Sequence, residues 1–530
     1  MPTPVSPTAL KGVLVGYDGL KSQYLVNGFR SGFAIRCYGL PVQKQVVTNM
    51  KSAFDFPNVI DRKLQHELEL GRILGPFTER PDISRYRISP LGVVPKKLPG
   101  EFRVIHNLSY PEGESVNDYI PQEFSTVQYA TIQHAISFIK EADSIVFMAK
   151  VDIEAAFRII PISPQDSPLL GFKWRGAYYM DAVLPMGCSS SCSIFEAFST
   201  ALEWIAMNKL GVTKVVHIID DFLFLATSHA KCLHDMKAFM TLCEQLGVPL
   251  APDKTVGPTT ALQFLGITLD TVSMEARLPE DKLAQCRSLI LSFLNREKAT
   301  LREIQSLIGV LSFSCSVIPG RGFLRRLIDL TLHVTKPHFH IRITRQVKLD
   351  LLTWQEFLAG FNGKAFFIDA NFLTGDYLQL FTDASGGVGY GAVCGPEWFS
   401  GTWPASWNPL NITVLELYPI VAAVATWGAA WANSSVCFYT DNEALVAIIN
   451  KQTSKEPCVM ALLRLLILSC LRRNINFTAC HIPGRDNTLA DRLSRCQIAE
   501  FLRLAPWANS EPATVPYHVS PAALGTLSRF

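Results

Sequence analysis

Two adjacent aspartates inside an apolar run constrain the fold of this chain more than any other sequence feature. The run is VVHIIDDFLFL, residues 215 to 225, and its acids are Asp220 and Asp221. An apolar run of this length predicts buried strands, where two neighbouring charges repel each other and lose hydration. Adjacent side chains of a flat strand face opposite ways, so both acids can serve one site only if the chain turns between them. We therefore predict a hairpin whose tip carries both acids and meets a compensating cation.

The length of the chain predicts two or more domains, because 530 residues exceed what one hydrophobic core usually organises. Charged residues make up 18%, which is too few and too mixed for a disordered chain. The net charge of +3 is too small to identify a partner. Any surface that binds nucleic acid must therefore be locally basic.

The cysteines and the N-terminus indicate an intracellular protein. The thirteen cysteines include no CxxC pair, and the opening residues, MPTPVSPTALKG, form no apolar targeting segment. The most membrane-like stretch, LYPIVAAVATWGAAWA from Leu417, is shorter than the roughly 18 to 20 apolar residues that span a bilayer. We expect reduced thiols, no membrane contact and a cytoplasmic or nuclear location without secretion.

The first half of the chain is predicted to mix helices and strands. DRKLQHELELGRI predicts a helix, SPLGVVPKKLPGEFRVIHNL two strands around a Pro-Gly turn, and FMAKVDI a strand. A helix is expected to start near Ser125, where Ser125 and Gln128 form a capping-box pattern. Another helix is expected from about Cys192 to Leu210.

The second half is predicted to be helical first and then α/β. Residues from about 280 to 360 are mainly helical in pattern, with Thr300 and Glu303 as a capping box. From Tyr377 the pattern changes to hairpin, helix, strand, helix, strand and helix. The last thirty or so residues are proline-rich and predict a linker or tail.

A third aspartate, Asp152 in KVDIEAAF, ends a predicted strand just as the aspartate pair does. Three carboxylates are therefore expected at one sheet edge. Two divalent ions held roughly 3.5 to 4 Å apart by such oxygens would align a hydroxyl with a phosphate and stabilise the leaving oxygen. The ligand set suits Mg²⁺, with Mn²⁺ as an alternative. Turn aspartates are also common without any ion, so the pair alone leaves a structural role open.

Six motifs occur in an order that resembles reverse transcriptases. They are SPLGVVPKKLPGEFRVIHNL, VDIEAAFRIIPI, LPMGCSSSCSIFE, HIIDDFLF, LAPDKT and LQFLGITLD. The resemblance implies that Asp152, Asp220 and Asp221 are the metal-binding triad. It adds the backbone carbonyl of Ile153 as a further ligand.

The same resemblance implies contacts with the incoming nucleotide and the primer. Lys97 and Arg103 would clamp the triphosphate, which a Lys point charge and an Arg fork both suit. Phe157 would block a ribose 2′-hydroxyl, although without the motif it would be interpreted as a core residue. The remaining substrate-side positions are Met186, Gly187, Lys254, Phe264, Leu265 and Gly266.

Some of these positions carry a specific expectation or a departure from the family. Lys254 would approach the leaving pyrophosphate, and FLGI, residues 264 to 267, resembles the hairpin that holds the primer end. Met186 stands where retroviral enzymes carry Gln, and Ile218 where many relatives carry Tyr or Phe. Taken singly, Lys97, Arg103 and Lys254 also fit solvated surface charges.

Four further acids lie in or beside apolar segments of the second half: Asp383, Glu416, Asp441 and Asp491. They fall on a predicted strand, helix, strand end and helix, an order that resembles ribonuclease H. Scattered acids are usually surface residues. The resemblance instead implies that these four hold two metal ions, which would activate water against an RNA phosphate.

Longer phrases closely resemble the polymerase polyproteins of DIRS-type, tyrosine-recombinase retrotransposons. They include GRILGPF, HNLSYPEGESVNDYI, DIEAAFRIIPISPQDSPLLGF and HIPGRDNTLADRLSR, and the likeness spans roughly residues 20 to 510. Gypsy-type elements add an aspartic protease and a zinc-containing integrase. This sequence has no Asp-Ser/Thr-Gly triplet and no His-Cys knuckle, which favours the DIRS type. The resemblance then implies a tyrosine recombinase that is encoded separately in the element, or a truncated copy.

The resemblance implies a right-hand polymerase followed by a ribonuclease H-like α/β domain, an α/β and α+β multidomain class. The expected divisions are an N-terminal extension 1–78, fingers and palm 79–270, a mainly helical thumb or connection 271–372, the ribonuclease H-like domain 373–497 and a tail 498–530. The expected activity is RNA-directed DNA synthesis with degradation of the RNA strand. The expected partners are an RNA template, a DNA primer, the RNA:DNA hybrid and deoxynucleoside triphosphates.

Two other interpretations stay open on the sequence alone. One is a non-catalytic, nucleic-acid-binding remnant or host-adopted copy, against which the presence of all seven predicted carboxylates argues. The other is a host telomere-type polymerase, which would not predict the attached nuclease.

Overall fold

The structure, a computed structural model, describes residues 1–43, 47–96, 100–142, 144–318, 320–360, 364–366 and 378–525. The chain divides into two compact units, Met1–Phe264 and Leu265–Phe530. Both units contain helices and sheets, with antiparallel strand pairs in the first and a mixed sheet in the second, so the predicted mixed α/β and α+β class is confirmed.

The described part of the first unit is built from short helices, two long helices and three small sheets. Its helices are α1 (Pro7–Val13), α2 (Gly19–Ser31), α3 (Lys51–Asp55), α4 (Pro57–Glu69), α5 (Ile132–Glu141), α6 (Ser191–Lys209) and α7 (His229–Leu246). Its strands are β1 (Ile73–Phe77), β2 (Leu91–Pro95), β3 (Phe102–His106), β4 (Phe147–Asp152), β5 (Gly171–Trp174), β6 (Ala177–Asp181), β7 (Lys214–Ile218), β8 (Asp221–Ala226), β9 (Val256–Thr259) and β10 (Ala261–Phe264).

A four-stranded antiparallel sheet, in the order β7-β8-β4-β9, organises the first unit. Helices α6 and α7 pack against it. Phe239 of α7 lies 4.7 Å from Phe222 and 5.2 Å from Phe224, measured between ring centroids. Every residue of β8 from Phe222 to Ala226 is fully buried. Burial on both faces explains why this strand has an unbroken apolar sequence instead of an alternating one.

The two smaller sheets are joined by a buried ionic network. Arg158 lies 2.7 Å from a carboxylate oxygen of Glu67 on α4 and 2.7 Å from one of Asp181 on β6. Asp181 also bonds to His106, the last residue of β3, at 3.0 Å. Buried charges are tolerated when they are paired and hydrogen-bonded, so this network fixes how α4, β3 and β6 meet.

The described part of the second unit combines helices, several short strands and one larger sheet. Its helices are α8 (Glu280–Leu294), α9 (Leu301–Ser314), α10 (Arg325–Asp329), α11 (Arg345–Gly360), α12 (Ile412–Trp427), α13 (Glu443–Lys451), α14 (Pro457–Arg472), α15 (Thr488–Ser494), α16 (Ile498–Leu504) and α17 (Pro521–Leu524). Its strands are β11 (Ile267–Asp270), β12 (Glu275–Arg277), β13 (Lys298–Thr300), β14 (His340–Arg342), β15 (Lys364–Phe366), β16 (Leu378–Ser385), β17 (Gly389–Cys394), β18 (Glu397–Thr402), β19 (Ser435–Thr440) and β20 (Asn476–His481).

The larger sheet has five strands in the order β18-β17-β16-β19-β20. The strands β18, β17 and β16 are antiparallel, whereas β16, β19 and β20 run parallel. Helix α12 is buried all round from Val414 to Val424 because it packs on both the sheet and α14. This explains its membrane-like composition. Among the described helices, none is long and apolar enough to cross a membrane.

Two local predictions need correction. The helix expected near Ser125 begins at Ile132, and His134 Nδ1 accepts a hydrogen bond from the Thr131 N–H at 3.0 Å at its start. Ser125 instead follows a short 3₁₀ turn, where its hydroxyl donates to the Gln122 carbonyl at 3.0 Å. A Ser-x-x-Gln pattern is therefore insufficient when the preceding turn already uses the serine.

The predicted tail is also folded over the part that the structure describes. Helix α16 buries Phe501, whose ring centroid lies 5.1 Å from that of Trp398 on β18. Near the end, the Trp407 indole N–H donates to the Gly525 carbonyl at 2.7 Å. The proline-rich C-terminal segment therefore packs against the rest of the second unit instead of forming an extended tail.

Gly247, the residue that ends α7, provides a test of the packing of the N-terminal segment. It has φ 77°, and a Cβ there would overlap the carbonyl oxygen of Pro4. We expect Gly247→Ala to lower the free energy of unfolding by at least about 1 to 2 kcal/mol, the usual cost of left-handed backbone in a residue with a Cβ. Urea denaturation measures it. The exposed helical Gly12→Ala should be neutral or slightly stabilising, and equal losses would contradict the explanation.

Candidate active sites

Three aspartates converge at one edge of the four-stranded sheet. Asp152 is the last residue of β4 and pairs across the antiparallel ladder with Asp221, the first residue of β8. Asp220 lies in the two-residue turn that joins β7 to β8, where Ile218 pairs with Asp221. The Ile153 N–H donates to the Asp220 carbonyl at 3.0 Å, which ties the turn to the end of β4. The structure thus brings these acids together at a hairpin tip.

Two lysines supply positive charge to this cluster. Lys254 Nζ lies 2.9 Å from Asp152 Oδ1, and Lys150 Nζ lies 3.2 Å from Asp221 Oδ1. Burial raises the pKa of Asp152 to about 6; the hydrogen bond with Asp221 and the charge of Asp220 act in the same direction, and Lys254 opposes them. Burial, together with the charge of Asp221, also raises the pKa of Asp220. The three carboxylates therefore carry more negative charge than the two lysines neutralise.

The residues expected on the nucleotide side lie on several elements. Arg103 is exposed on β3, opposite Val94 of β2. Phe157 follows a left-handed residue, Ala155 with φ 54°, so the chain turns after Asp152 as expected. The Phe157 ring is partly buried and meets Phe195 edge-on, with ring centroids 5.6 Å apart.

The other expected substrate-side residues divide into exposed, close-packed and turn positions. The Met186 side chain is 60% exposed, and a Cβ at Gly187 would overlap the carbonyl oxygen of His106 at the end of β3. Phe264 is fully buried at the end of β10. Leu265 and Gly266 have φ of 52° and 73°. The predicted triphosphate ligand Lys97 lies outside the described residues.

A second acidic cluster forms at the five-stranded sheet of the other unit. Phe381 of β16 lies beside Tyr439 of the parallel strand β19, so Asp383 and Asp441, each two residues further, lie side by side. Glu416 reaches them from α12. One carboxylate oxygen from each of Asp383, Glu416 and Asp441 lies within 4.8 Å of the others. Neighbouring parallel strands thus bring together acids that are 58 residues apart in sequence (441 − 383).

This second cluster is compensated by protons more than by cations. Burial raises the pKa of Glu416 to about 9, and the charges of Asp383 and Asp441 add to the rise. Burial also raises the pKa of Asp383 to about 6, although a hydrogen bond from the Ser494 hydroxyl opposes the shift. Glu416 Oε2 is buried and lacks a hydrogen-bond partner. A buried carboxylate oxygen without a partner is costly unless a proton or a cation binds it.

Asp491 lies next to this cluster on α15 but is not one of the three acids whose oxygens meet. Its Oδ1 accepts from Arg495 Nε at 2.7 Å, one helical turn further along. Its charge nevertheless contributes to the raised pKa of Asp383. The structure therefore places the fourth predicted acid at the edge of the cluster.

Both clusters fit divalent metal ions on chemical grounds. All the side-chain donors are carboxylate oxygens, the ligand type that Mg²⁺ prefers. The raised pKa values of Asp152, Asp383 and Glu416 show that each cluster carries more negative charge than the protein compensates.

Three residues that lie beside the acids were not predicted from the sequence. Lys150 precedes Asp152 by two positions, a spacing that places both on one face of a strand. Ser494 follows Asp491 by three positions on a helix and donates to Asp383. A Cβ at Gly484 would lie 3.1 Å from Asp441 Oδ2, so the backbone at this position passes close to that carboxylate. Only the Lys150 spacing was available as a signal before the structure.

Comparison with protein families identifies a segment that contains the first cluster. Residues 94–269 match the family model described as reverse transcriptase (RNA-dependent DNA polymerase). This segment includes Asp152, Asp220 and Asp221 as well as Arg103 and Phe157.

Several viral polyproteins are similar to the chain. Polyprotein P3 of Commelina yellow mottle virus is 22% identical over 366 residues, 66% of this chain and 18% of the relative. Protein P of duck hepatitis B virus (strain China) is 28% identical over 188 residues, 35% of this chain and 23% of the relative. The Pro-Pol polyprotein of feline foamy virus is 23% identical over 245 residues, 45% and 20% respectively. The chain thus spans about a fifth of the length of these relatives.

Solved structures of a foamy viral protease-reverse transcriptase also align with the chain. The complex with double-stranded DNA has a TM-score of 0.48 at 16% identity, covering 90% of this chain and 97% of that one. The complex with an RNA/DNA hybrid has a TM-score of 0.49 at 15% identity, covering 89% and 62%.

The raised pKa of Glu416 predicts how metal-free stability changes with pH. A carboxyl group whose folded-state pKa lies above its ordinary value of 4.5 favours the folded protein at low pH, and this contribution is lost as the pH rises towards about 9. Glu416→Gln cannot ionise, so the stability of the variant should fall less than that of the parent as the pH rises. We expect a metal-free unfolding temperature about 2 to 4 °C above that of the parent at pH 8, or about 1 kcal/mol.

The measurement is thermal unfolding in a chelator between pH 5 and pH 9, repeated with Mg²⁺ or Mn²⁺. The ions should stabilise the parent more than the variant at pH 8, since they compensate the same charge. Glu443→Gln, at an exposed acid two residues after Asp441, is the matched control and should behave like the parent. Identical pH profiles for the parent and Glu416→Gln would show that Glu416 does not hold the buried proton.

Proposed function

We propose that this chain is an RNA-directed DNA polymerase that also degrades the RNA strand of RNA:DNA hybrids. The convergence of Asp152, Asp220 and Asp221 at a hairpin tip, inside the segment that matches the reverse transcriptase model, carries the polymerase part. The curated relatives, which are viral polyproteins that include Gag-Pol and Pro-Pol, support it.

In this proposal the three aspartates would hold two Mg²⁺ ions, with the Ile153 carbonyl as a further ligand. The bound ions would align the primer hydroxyl with the α-phosphate of the nucleotide and stabilise the leaving oxygen. The protein contributes the geometry, because β4 and the β7-β8 hairpin fix the acids relative to one another. Lys254, beside Asp152, is close enough to the cluster to meet the leaving pyrophosphate.

Nucleotide binding is assigned to the β2-β3 hairpin and to Phe157. Arg103 is exposed and free to turn its guanidinium fork towards a triphosphate. Lys97 is proposed as its partner from the sequence motif alone. Phe157 lies at the turn after Asp152 and is supported from behind by the fully buried Phe195. A supported ring in this place can exclude a 2′-hydroxyl by collision.

The nuclease part rests on the second cluster. Asp383, Glu416 and Asp441 meet on a mixed five-stranded sheet, and Asp491 flanks them from α15. The strand and helix order in this region is the one that suggested ribonuclease H from the sequence. We assign the same metal chemistry to it, with water as the nucleophile and the RNA strand of a hybrid as the substrate.

The wider setting of the enzyme is proposed from the sequence resemblance alone. The chain is assigned to a DIRS-type retrotransposon, with an RNA template, a DNA primer and deoxynucleoside triphosphates as substrates. A separately encoded tyrosine recombinase is its proposed partner, and the proposed location is the cytoplasm or nucleus. The proposed domain limits are those given by the sequence: 79–270 for fingers and palm, 271–372 for the thumb or connection and 373–497 for the nuclease.

Two acidic clusters on separate sheets predict activities that can be removed one at a time. Asp220→Asn should abolish primer extension on an RNA template, because it removes one charged ligand of the first cluster, and it should leave hybrid cleavage intact. Asp441→Asn should have the opposite effect. Each activity is measured with Mg²⁺ on purified protein whose folding is checked by circular dichroism.

The exposed acids Asp253→Asn and Glu443→Asn serve as charge-matched controls and should retain both activities. Loss of both activities from either cluster substitution, in folded protein, would contradict two independent sites. Binding of a hybrid without either activity in the parent would favour the non-catalytic remnant.

Phe157 predicts how the polymerase part selects its sugar. A hydrophobic pocket rejects one added hydroxyl only weakly, so a rigid wall is required. Phe157→Val should open room for the 2′-oxygen, and we expect the preference for deoxyribonucleotides to fall about a hundredfold, which corresponds to about 2.7 kcal/mol. Single-nucleotide insertion with matched ribo- and deoxyribonucleotides measures the ratio. Phe147→Val, at the other end of β4, is the control and should leave this ratio unchanged. An unchanged ratio in Phe157→Val would show that Phe157 is a core residue without a role in sugar selection.

A further inference from the structure

The turn that carries Asp220 contains an unusual backbone conformation. Ile219 has φ 54°, in the left-handed region. A branched Cβ is crowded there, so a residue of this type adopts the conformation only when its surroundings hold it. The residues on either side are Ile218, which ends β7, and Asp220. Because the β4-β8 ladder already pairs Asp221 with Asp152, the conformation of Ile219 determines chiefly where Asp220 lies relative to those two acids.

Helix α6 holds Ile219 by both of its backbone groups. Glu196 Oε2 accepts a hydrogen bond from the Ile219 N–H at 3.3 Å. The Ser199 hydroxyl donates to the Ile219 carbonyl at 2.6 Å. Glu196 is 9% exposed and Ser199 is fully buried, so water cannot easily replace either contact. Two buried side chains thus fix one peptide unit on each side of the strained residue.

Glu196 is itself fixed by a histidine of the same hairpin. His217 Nε2 lies 3.1 Å from Glu196 Oε1, and His217 Nδ1 bonds to Glu203. The imidazole also stacks on Phe222, with ring centroids 5.3 Å apart. Glu196, Ser199 and Glu203 are spaced by three and four residues and therefore share the face of α6 that meets β7.

Both nitrogens of His217 face carboxylates, which favours the doubly protonated ring. Burial alone would lower the pKa of His217, but the hydrogen bonds to Glu196 and Glu203 outweigh it and raise the pKa to about 9. The imidazolium can then donate to both acids at once. This leaves Glu196 Oε2 free to accept from Ile219.

We propose that Glu196 and Ser199 are positioning residues for the polymerase metal site. They hold Ile219 in its left-handed conformation, so that the two aspartates of the hairpin reach the same site as Asp152. His217 orients Glu196 for this task, and Glu203 is only the outer partner of His217. The proposal rests on the proposed polymerase function, but it concerns how this chain builds the site and can be tested without DNA synthesis.

The test compares Glu196→Ala, Glu196→Gln, Ser199→Ala and Glu203→Ala in the full chain. Glu196→Ala and Ser199→Ala remove one bond to Ile219 each. Glu196→Gln keeps an oxygen for the Ile219 N–H and offers an amide to the neutral form of His217. Glu203→Ala removes a carboxylate from the same helix and the same histidine but leaves Ile219 held, which makes it the matched control.

The first measurement is primer extension as a function of Mg²⁺ concentration, beside hybrid cleavage by the same preparation. We expect Glu196→Ala and Ser199→Ala to raise the half-saturating Mg²⁺ concentration for synthesis about tenfold, the change that corresponds to 1.4 kcal/mol. Hybrid cleavage should stay at the parent level, since its acids lie on another sheet. For Glu196→Gln and Glu203→Ala, the half-saturating Mg²⁺ concentration should stay within about twofold of the parent value, well below a tenfold change.

The second measurement is independent of activity. Binding of Mn²⁺ is followed by electron paramagnetic resonance in an Asp441→Asn background, which weakens the nuclease cluster and leaves the first cluster intact. Glu196→Ala and Ser199→Ala should weaken this binding, whereas Glu203→Ala should not. If the parent makes no DNA and its Mn²⁺ binding still depends on Glu196, the polymerase function fails and the positioning role stands.

Three outcomes would overturn the positioning role. The first is an equal effect of Glu196→Ala and Glu203→Ala on the metal requirement. The second is parallel loss of synthesis, hybrid cleavage and thermal stability in Glu196→Ala, which would make Glu196 an ordinary packing residue. The third is the absence of Mn²⁺ binding by the Asp441→Asn parent at millimolar concentrations.

Discussion

The burial of like charges is the constraint on which both sites depend. Asp152 is 4% exposed and Glu416 is 5% exposed, and each lies among other acids. Removing carboxylates from water while bringing them together is unfavourable on both counts, so something must compensate each cluster. The two clusters differ in how this is done. Lysines approach the first cluster, whereas the second carries a proton on Glu416 near neutral pH.

The two sheets bring acids together by different geometries. In the first, an antiparallel pair and a two-residue turn place Asp220 and Asp221 against the end of β4, so the site depends on the conformation of one turn residue. In the second, the parallel pairing of β16 and β19 runs to Phe381 and Tyr439, and Asp383 and Asp441 follow two residues later at the same edge of the sheet. A hairpin tip needs additional support that parallel strand ends do not. The buried contacts of Ile219 with Glu196 and Ser199 are that support.

The mispredicted elements show where local sequence is a poor guide. A serine with a glutamine three residues later predicts a helix start, but Ser125 is used by the turn before it, and the helix begins at Ile132. The proline-rich C-terminal segment was expected to be a tail, yet Phe501 is fully buried against Trp398. In both cases the decisive contact is one that the local pattern does not contain. For Ser125 that contact is the nearby Gln122 carbonyl, whereas for the C-terminal segment burial of Phe501 against a distant strand overrides local propensity.

The sequence by itself determined the mixed α/β class, the main strands and helices and the identity of the acids, because apolar periodicity and charged residues in apolar runs are local signals. It also determined that Asp220 and Asp221 needed a turn between them. Only the tertiary structure decided what compensates the acids and which three of the four acids in the second half bring their oxygens together. Lys254 reaches Asp152 from 102 residues away, and Ser494 reaches Asp383 from 111 residues away. Such pairings are set by strand register and helix packing, which depend on the whole fold and leave no mark within a local window of sequence.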